Sequence, residues 1–576
     1  MSTGKHAIVF RQRSILAELN TSSSDLHPLL KRIFSAREIN SFQETEYSLA
    51  QLMPPDGISN LLAAAERLAH HIQQQSSILI LGDYDADGAT STALCVRALN
   101  MLGHSPVSFL LPDRVTDGYG VSSNIAGRVI EACPALVITV DTGIASFKGV
   151  NMLRQAGIEV IITDHHLPAD GLPEASDIVN PNAYADSEGK NLAGVGVAFY
   201  LMLATRSVLR QSGYFSQLVE PNLAECLDLV AIGTIADLVP LDYNNRILVS
   251  EGLKRIRAGA CSEAVTQLIQ LSGRIQKDIT SQDIAFTLAP RINAAGRLDD
   301  MTIGVKALLE NNTTRASALA FELDGINSYR RELQSEMTQQ AMQMLPEIST
   351  EASSAAKYSY VLYQESWHEG IVGIIASKIK DITFRPSISF ASSEEGALKG
   401  SCRSIPGVHM RDMLDLVDKR TPGIIRRFGG HAMAAGLTIE KDALEHFRDT
   451  FESVLKQQVD PTCFDNVVYY DGEIDNADIN LDMAITLREA GPWGQRFPAP
   501  SFIGTFRVLN QRVLSDRHLK FVLQLDKPSQ VVDAIMFYAH ENELKTNYQN
   551  IRIHYEMSVN NYRDQQSVQL MIRQII

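Results

Sequence analysis

Short, almost wholly apolar runs recur through the first part of the chain, at residues 76–83 (SSILILGD), 107–113 (VSFLLPD), 135–141 (ALVITVD), 159–164 (EVIITD) and 177–182 (DIVNPN). Stretches with helical periodicity, such as STALCVRALNMLG and GVNMLRQAG, separate several of them. Apolar strands alternating with helices predict a parallel, doubly wound α/β sheet covered on both faces. Residues 1–50 read as a helical preface, and the pattern from about 192 to 270 is helical again. A long polar-faced helix follows over 303–348, with an interruption expected at Gly325. A second, mixed α/β unit covers about 356–457. From about 466 the period becomes two: Ile551, Ile553, Tyr555, Met557 and Val559 share one face, with Arg552, His554, Glu556 and Ser558 on the other. That alternation predicts a small β-barrel or sandwich at the C-terminal end.

A length of 576 residues is too great for one ordinary domain, and 45% hydrophobic with 21% charged residues is ordinary globular composition. The net charge of −15 argues against a protein that coats DNA indiscriminately, while leaving room for a local basic groove beside an acidic site. The six cysteines are widely spaced with no Cys-x-x-Cys pair, which predicts reduced thiols and no thiolate zinc site. The first twenty residues mix charges into their apolar positions, and no run approaches the roughly 18 apolar residues of a membrane span. A soluble, cytoplasmic protein without a membrane partner is the expectation.

The chemistry concentrates at strand ends. Asp83, Asp113, Asp141 and Asp164 each close one of the apolar runs, and in an open α/β sheet those ends converge on one crevice. The densest signal is Asp83-Tyr-Asp85-Ala-Asp87-Gly88, directly after a strand. A calcium loop also begins D-x-D-x-D-G, but it follows a helix and ends in a glutamate at position twelve; here a strand precedes and Leu94 stands twelfth. No lysine follows Gly88, so a phosphate-binding Walker loop is excluded as well. Asp164-His165-His166 closes a second strand, and Asp141 and Asp237 add two further acids. Carboxylate oxygen mixed with imidazole nitrogen suits Mn²⁺, or Mg²⁺ where oxygens dominate. So many acids with no lysine among them require neutralisation, and two divalent cations bridged by one aspartate would both activate water and clamp a phosphodiester.

These runs resemble the four motifs of the DHH phosphoesterase superfamily. Together with Asp117-Gly-Tyr-Gly120, Asn191-Leu-Ala-Gly-Val-Gly196, Pro290-Arg-Ile-Asn-Ala-Ala-Gly-Arg-Leu298 and Gly429-Gly-His-Ala-Met-Ala-Ala-Gly436, they resemble the RecJ family of single-strand-specific 5′→3′ exonucleases over almost the whole chain. The resemblance implies a preface at 1–50, a DHH catalytic domain at 51–300, a connecting helix at 301–352, a DHHA1 domain at 353–460 and an OB-like single-stranded-DNA-binding barrel at 461–576. It implies Asp85, Asp87, Asp141, His165 and Asp237 as ligands of two cations, Mn²⁺ or Mg²⁺, with Asp141 bridging. Asp83, Asp164 and His166 would stand beside them, in contact with metal or reactants. Where more distant members carry a ligating histidine, this chain has Ile80-Leu81, and Asp83 is the expected stand-in. The implied reaction is stepwise hydrolysis of single-stranded DNA from the 5′ end in recombination and repair. A single-strand-binding protein and a helicase are the implied partners of a monomeric enzyme.

The substrate side has its own chemistry. Residues 400–404 (GSCRS) and 428–431 (FGGH) combine backbone amides, a hydroxyl, a guanidinium and an imidazole, a set suited to phosphate. Ser401, Arg403, Gly430 and His431 are therefore candidates to hold the 5′ end of the DNA, with Arg291, Asn293 and Arg297 facing them from the catalytic unit. His368 is better read as a turn cap. Trp493, Phe497, Phe502, Phe506 and Phe521 suit a barrel core better than a base-stacking platform, while Arg512, Arg517 and Lys520 are candidate phosphate contacts. A positive groove between the two α/β units is expected. Two other functions compete. A phosphodiesterase of short oligonucleotides or cyclic dinucleotides would not need the C-terminal unit, and an inactive replication scaffold would be expected to have lost motif acids that this chain retains.

Overall fold

The computed structural model describes residues 8–15, 19, 26–114, 116–345, 357–393, 396–525, 530–563 and 565–576. Its first strand, β1 (Ile8–Gln12), precedes the parallel sheet built from β2 (Ile78–Leu81), β3 (Val107–Leu110), β4 (Leu136–Val140), β5 (Glu159–Thr163) and β6 (Asp177–Val179). These five lie in the spatial order β3-β2-β4-β5-β6, every neighbouring pair parallel. The order reverses between β2 and β4, and there the carboxyl ends of a parallel sheet open a crevice. Strands β2 and β4 are buried at every residue, as expected of a sheet with helices on both faces. One of those helices, α1 (Ala86–Met101), packs on α2 (Gly194–Gln211) and α3 (Leu227–Ala236).

Short α4 (Ala289–Leu298) leads to the 32-residue helix α5 (Thr313–Met344). The break expected at Gly325 is absent: α5 runs straight through it. A glycine inside a helix costs only about 1 kcal/mol. Its flanks repay that, with Leu323 and Asn327 buried and Asp324 paired with Arg291. The far end of α5 packs Met337 and Ala341 against Tyr360, Leu362 and Trp367 of the second α/β unit, so one helix carries the spacing between the two units.

That second unit holds a mixed sheet of β7 (Tyr360–Tyr363), β8 (Ser387–Ser392), β9 (Ala397–Arg403), β10 (Arg427–Gly430) and β11 (Ala434–Glu440). Its order is β10-β11-β9-β8-β7, with only β7 and β8 parallel, and helix α6 (Val372–Thr383) lies on β8 and β9. After β12 (Asn466–Tyr470), five strands close into a barrel: β13 (Phe502–Leu514), β14 (His518–Gln524), β15 (Val531–Met536), β16 (Asn550–Tyr562) and β17 (Gln565–Ile575). Phe502, Phe506 and Phe521 point into its core. Trp493 and Phe497 lie outside it, stacked 5.0 Å apart at the seam with Phe34.

The preface differs from its helical expectation. Strand β1 pairs in parallel with β12, from Ile8 on Asn466 to Gln12 on Tyr470. IVFRQ is short and weakly alternating, and its partner lies some four hundred and fifty residues away, where no local pattern signals it. Among the described residues of the preface, helical structure is confined to Pro28–Ser35 and short single turns.

Candidate metal centre

The chain leaves β2 through Gly82-Asp83-Tyr84-Asp85 and enters α1 at Ala86. Asp85 caps that helix, its Oδ1 accepting from the amides of Asp87 at 2.9 Å and Gly88 at 3.0 Å. Asp87, one residue into the helix, accepts from Gly194 at 2.7 Å and Val195 at 2.9 Å, the first amides of α2. The glycine of Leu-Ala-Gly-Val-Gly is thereby explained: a Cβ on Gly194 would stand 2.5 Å from the Cβ of Asp141. Asp141 follows β4 at φ 59°, a left-handed conformation that costs a non-glycine residue on the order of 1–3 kcal/mol and gathers at functional sites. Asp164 closes β5, and Asp237 follows the last residue of α3.

These strand and helix ends bring seven side chains together. Ligand atoms of Asp83, Asp85 and Asp141 lie within 4.8 Å of one another, as do those of Asp141, His165 and His166, and those of Asp87, His165 and Asp237. Asp141 and His165 each belong to two of the three groups. His165 Nε2 is 3.1 Å from Asp141 Oδ1 and 3.5 Å from Asp237 Oδ2. Asp83 Oδ1, Asp141 Oδ1 and His165 Nε2 are all buried without a hydrogen-bond partner. Buried polar atoms left unpaired cost about 1–3 kcal/mol each, and three of them converging on shared space is the signature of a site shaped for divalent cations.

Electrostatics agree. Burial, reinforced by the charge of Asp85, raises Asp83 to about 8 and Asp87 to about 7. Burial and Asp87 push Asp141 and Asp237 well above the carboxylate range. His165 falls to about 4 through burial and its neighbour His166, so its ring is neutral and able to coordinate. Burial disfavours the charged form of His166, but Asp164, 2.8 Å from its Nδ1, outweighs that and raises it to about 9. In the same way burial opposes ionisation of Asp164, and the bond to His166 still brings its pKa below the usual value. Asp164 is fully buried and belongs to none of the three groups; it accepts from the amides of Ile144, His165 and His166.

The second unit faces this centre. Arg297 Nη1 reaches Gly370 O at 3.4 Å. Arg403 Nη1 bonds to Ser401 Oγ at 3.2 Å, and a Cβ on Gly373 would stand 2.9 Å from that hydroxyl. Burial, followed by Arg114 and Arg403, lowers Arg297 to about 10, placing three guanidiniums in mutual range. Partial burial and then the charge of His166 lower His431, so that imidazole lies within electrostatic range of the histidine pair. Gly430 sits at φ 137°, where a Cβ would stand 2.5 Å from Ala434 O.

Two expected substrate contacts also make bonds within the chain. Arg291 is tied to Asp324 at 2.8 Å and to Thr287 O. Asn293 accepts from the Ala86 amide at 2.8 Å, so it braces the first motif. Arg114 was not singled out from sequence. It lies 4.1 Å over the ring of Tyr84 and donates to Gly296 O at 2.9 Å. Its place beside a strand-end aspartate was the available signal. Tyr119, of the Asp-Gly-Tyr-Gly run, reaches His166 Nδ1 at 3.1 Å. Asp113, the remaining strand-end acid, accepts from Thr116 and stays outside all three groups. His368 Nδ1 accepts from Gly370, as a turn cap does, and Trp367 donates to Gln340. In the barrel, Lys520 pairs with Asp533 at 2.6 Å and Arg517 lies 5.7 Å over Tyr538.

Known proteins share these domains and this fold. The sequence matches the DHH family, N-terminal domain, over residues 77–234, the DHHA1 domain over 355–457 and the RecJ OB domain over 470–574. It is 42% identical over 575 residues to the single-stranded-DNA-specific exonuclease RecJ of Escherichia coli, covering 99% of each chain. The structure of RecJ from Thermus thermophilus in complex with Mn²⁺ superposes with a TM-score of 0.79 at 28% identity, over 96% of this chain and 76% of that one. The Mg²⁺ complex of the same protein gives 0.73 at 26%, over 96% and 75%. With the DHH, DHHA1 and RecJ OB domains matched in order and 42% identity to a RecJ exonuclease over nearly the whole chain, the chain belongs to the RecJ family of DHH phosphoesterases.

Proposed function

We infer that this protein is a metal-dependent exonuclease specific for single-stranded DNA. One observation carries the reading: a centre of five aspartates and two histidines, with three buried unpaired ligand atoms, lies beside Arg297 of its own unit and faces Arg403 and His431 of a second. Acids alone would repel a phosphodiester, and arginines alone would bind it without cleaving it; the crevice holds both. We take 51–300 as the catalytic unit, 301–352 as the connecting helix, 353–460 as the substrate-binding unit and 461–576 as the barrel that guides the strand, with 1–50 bracing it through β1.

Asp85, Asp87, Asp141, His165 and Asp237 are the residues to hold two divalent cations, Mn²⁺ or Mg²⁺, with Asp141 shared and Asp83 at the edge of the set. When bound there, such cations supply Lewis acidity toward a phosphodiester and offset the buried negative charge. The chain's own residues do the rest. Asp164 fixes the ring of His166 and keeps its proton at Nδ1, presenting an imidazolium beside the reacting phosphate. Arg403 and Arg297 hold the terminal phosphate, Ser401 donates to it, and Gly430 and His431 close the pocket around it. Anchoring the 5′ end in this way gives 5′→3′ polarity and release of 5′-mononucleotides. A role in recombination and repair, a cytoplasmic location, action as a monomer, and supply of strands by a helicase and a single-strand-binding protein complete the reading. Among the described residues no helix is long and apolar enough to cross a membrane.

Digestion of 5′-labelled and 3′-labelled single strands with Mn²⁺ or Mg²⁺ tests it. Immediate release of the 5′ label as a mononucleotide is expected; early loss of the 3′ label, or cleavage confined to oligomers of a few nucleotides, overturns it. Arg403→Ala removes one charged phosphate contact and is expected to raise KM for 5′-phosphorylated strands about 10- to 100-fold, with a smaller change in kcat. Steady-state kinetics on 5′-phosphate and 5′-hydroxyl strands check this, and equal effects on both would remove Arg403 from the phosphate site.

A further inference from the structure

The histidine pair lies just beyond the end of β5, where no strand ladder holds its backbone. All four of its main-chain polar groups are nevertheless satisfied by side chains. Asp164 Oδ1 accepts both amides, His165 at 2.7 Å and His166 at 3.0 Å. Both carbonyls are taken from the turn that follows the neighbouring strand β6: Asn180 Nδ2 donates to His166 O at 2.9 Å, and Asn182 Nδ2 donates to His165 O at 2.6 Å. The two asparagines are themselves coupled, because Asn180 Oδ1 accepts from the Asn182 amide at 2.8 Å. Asn180 is fully buried, and Pro181 between them sets the chain direction. The imidazole of His165 is thus presented to Asp141 and Asp237 by a backbone held at all four of its polar groups.

We propose that Asn180 and Asn182, in the Asn-Pro-Asn turn after β6, are positioning residues that hold His165 in cation-binding geometry and fix His166 beside it. The inference rests on the reading that His165 ligates a cation. Each asparagine commits its Nδ2 to a histidine carbonyl and so acts through it. Groups that orient metal ligands typically govern 10- to 100-fold in affinity or rate, because a ligand atom displaced by a fraction of an ångström loses much of its bond.

Asn182 is the residue to change, being less buried than Asn180. Asn182→Asp keeps the shape and removes the donor; Asn182→Ala removes both. The measurement is titration of free Mn²⁺ by its electron paramagnetic resonance signal against the full-length chain, without DNA. Both variants are expected to bind Mn²⁺ about 10- to 100-fold more weakly than the unmodified protein. On DNA, kcat should fall while KM for the strand stays within about twofold, and excess Mn²⁺ should restore part of the rate. A merely structural asparagine would lower the melting temperature and leave Mn²⁺ affinity alone, and that outcome overturns the proposal, as does wild-type affinity in both variants. If the unmodified chain binds no Mn²⁺, the metal reading itself falls and takes this inference with it, an outcome the variants are not needed to recognise.

Discussion

Asp141→Asn is expected to lower kcat on single-stranded DNA by about 10³-fold or more, beyond the 10- to 100-fold typical of groups that only support a metal ligand. Asp141 is the carboxylate common to two of the three candidate ligand groups, one with Asp83 and Asp85 and the other with His165 and His166. Its loss therefore damages two of the three groups, where loss of Asp237 damages one. Asparagine is the informative replacement because it tolerates positive φ, so the φ of 59° at this position is kept while the charge goes. Asp141→Ala removes the side chain as well and should be no more active. Since burial and Asp87 already penalise the ionised form of Asp141, the metal-free Asn variant should melt no lower than the metal-free parent. Activity within tenfold of the parent would mean that Asp141 is not shared between cations.

Removing metal is expected to produce the other large effect, and its sign depends on pH. Asp83 and Asp87 have pKa values of about 8 and about 7 in the folded chain, against about 3.9 for an unfolded aspartate. Between those limits the folded state binds more protons than the unfolded one, so metal-free stability falls as pH rises. Their favourable contribution is complete below about pH 4 and is lost as pH climbs through about 7 to 8. Chelated protein should therefore melt at a lower temperature at pH 8.5 than at pH 6, to the extent that these two groups dominate the difference. A saturating cation binds only the folded centre, and at a thousandfold excess over its dissociation constant it should raise the melting temperature of the catalytic unit by about 8 °C. That gain should be greater at the higher pH, because fewer protons must be expelled. Calorimetric titration with Mn²⁺ at pH 7 in two buffers of different ionisation enthalpy should register proton release. No proton release, together with a pH-independent gain, would show that the carboxylates are ionised without the cation.

The acids of the centre were legible because each follows an apolar run, and the residue after a buried parallel strand has few places to point. Asp83, Asp141 and Asp164 follow from that pattern and from the convergence of strand ends. The roles within the group were less legible. Asp164, which looks the same as Asp141 in one dimension, turns its oxygens to backbone amides and to His166 instead of joining the ligand groups. Arg291 and Asn293 share a run with Arg297, but on a helix their side chains leave in different directions. One meets Asp324, one caps Ala86, and only Arg297 approaches Gly370. Arg114 and Tyr84 form a stacked pair across thirty residues of chain, which no local spacing announces.

What the sequence determined by itself is the set of elements and the chemistry: apolar strands in α/β alternation, a barrel with period two, and acids and imidazoles of the kind that hold hard cations. Those properties reside in neighbouring residues, and hydrophobic periodicity expresses them directly. Only the tertiary structure decided which carboxylates share a cation-sized space, that Asn180 and Asn182 clamp the histidine carbonyls, that β1 pairs with β12, and that the helix Thr313–Met344 runs unbroken past Gly325. Each of those outcomes rests on contacts between residues distant in the chain, or on packing strong enough to overrule a local preference of about 1 kcal/mol.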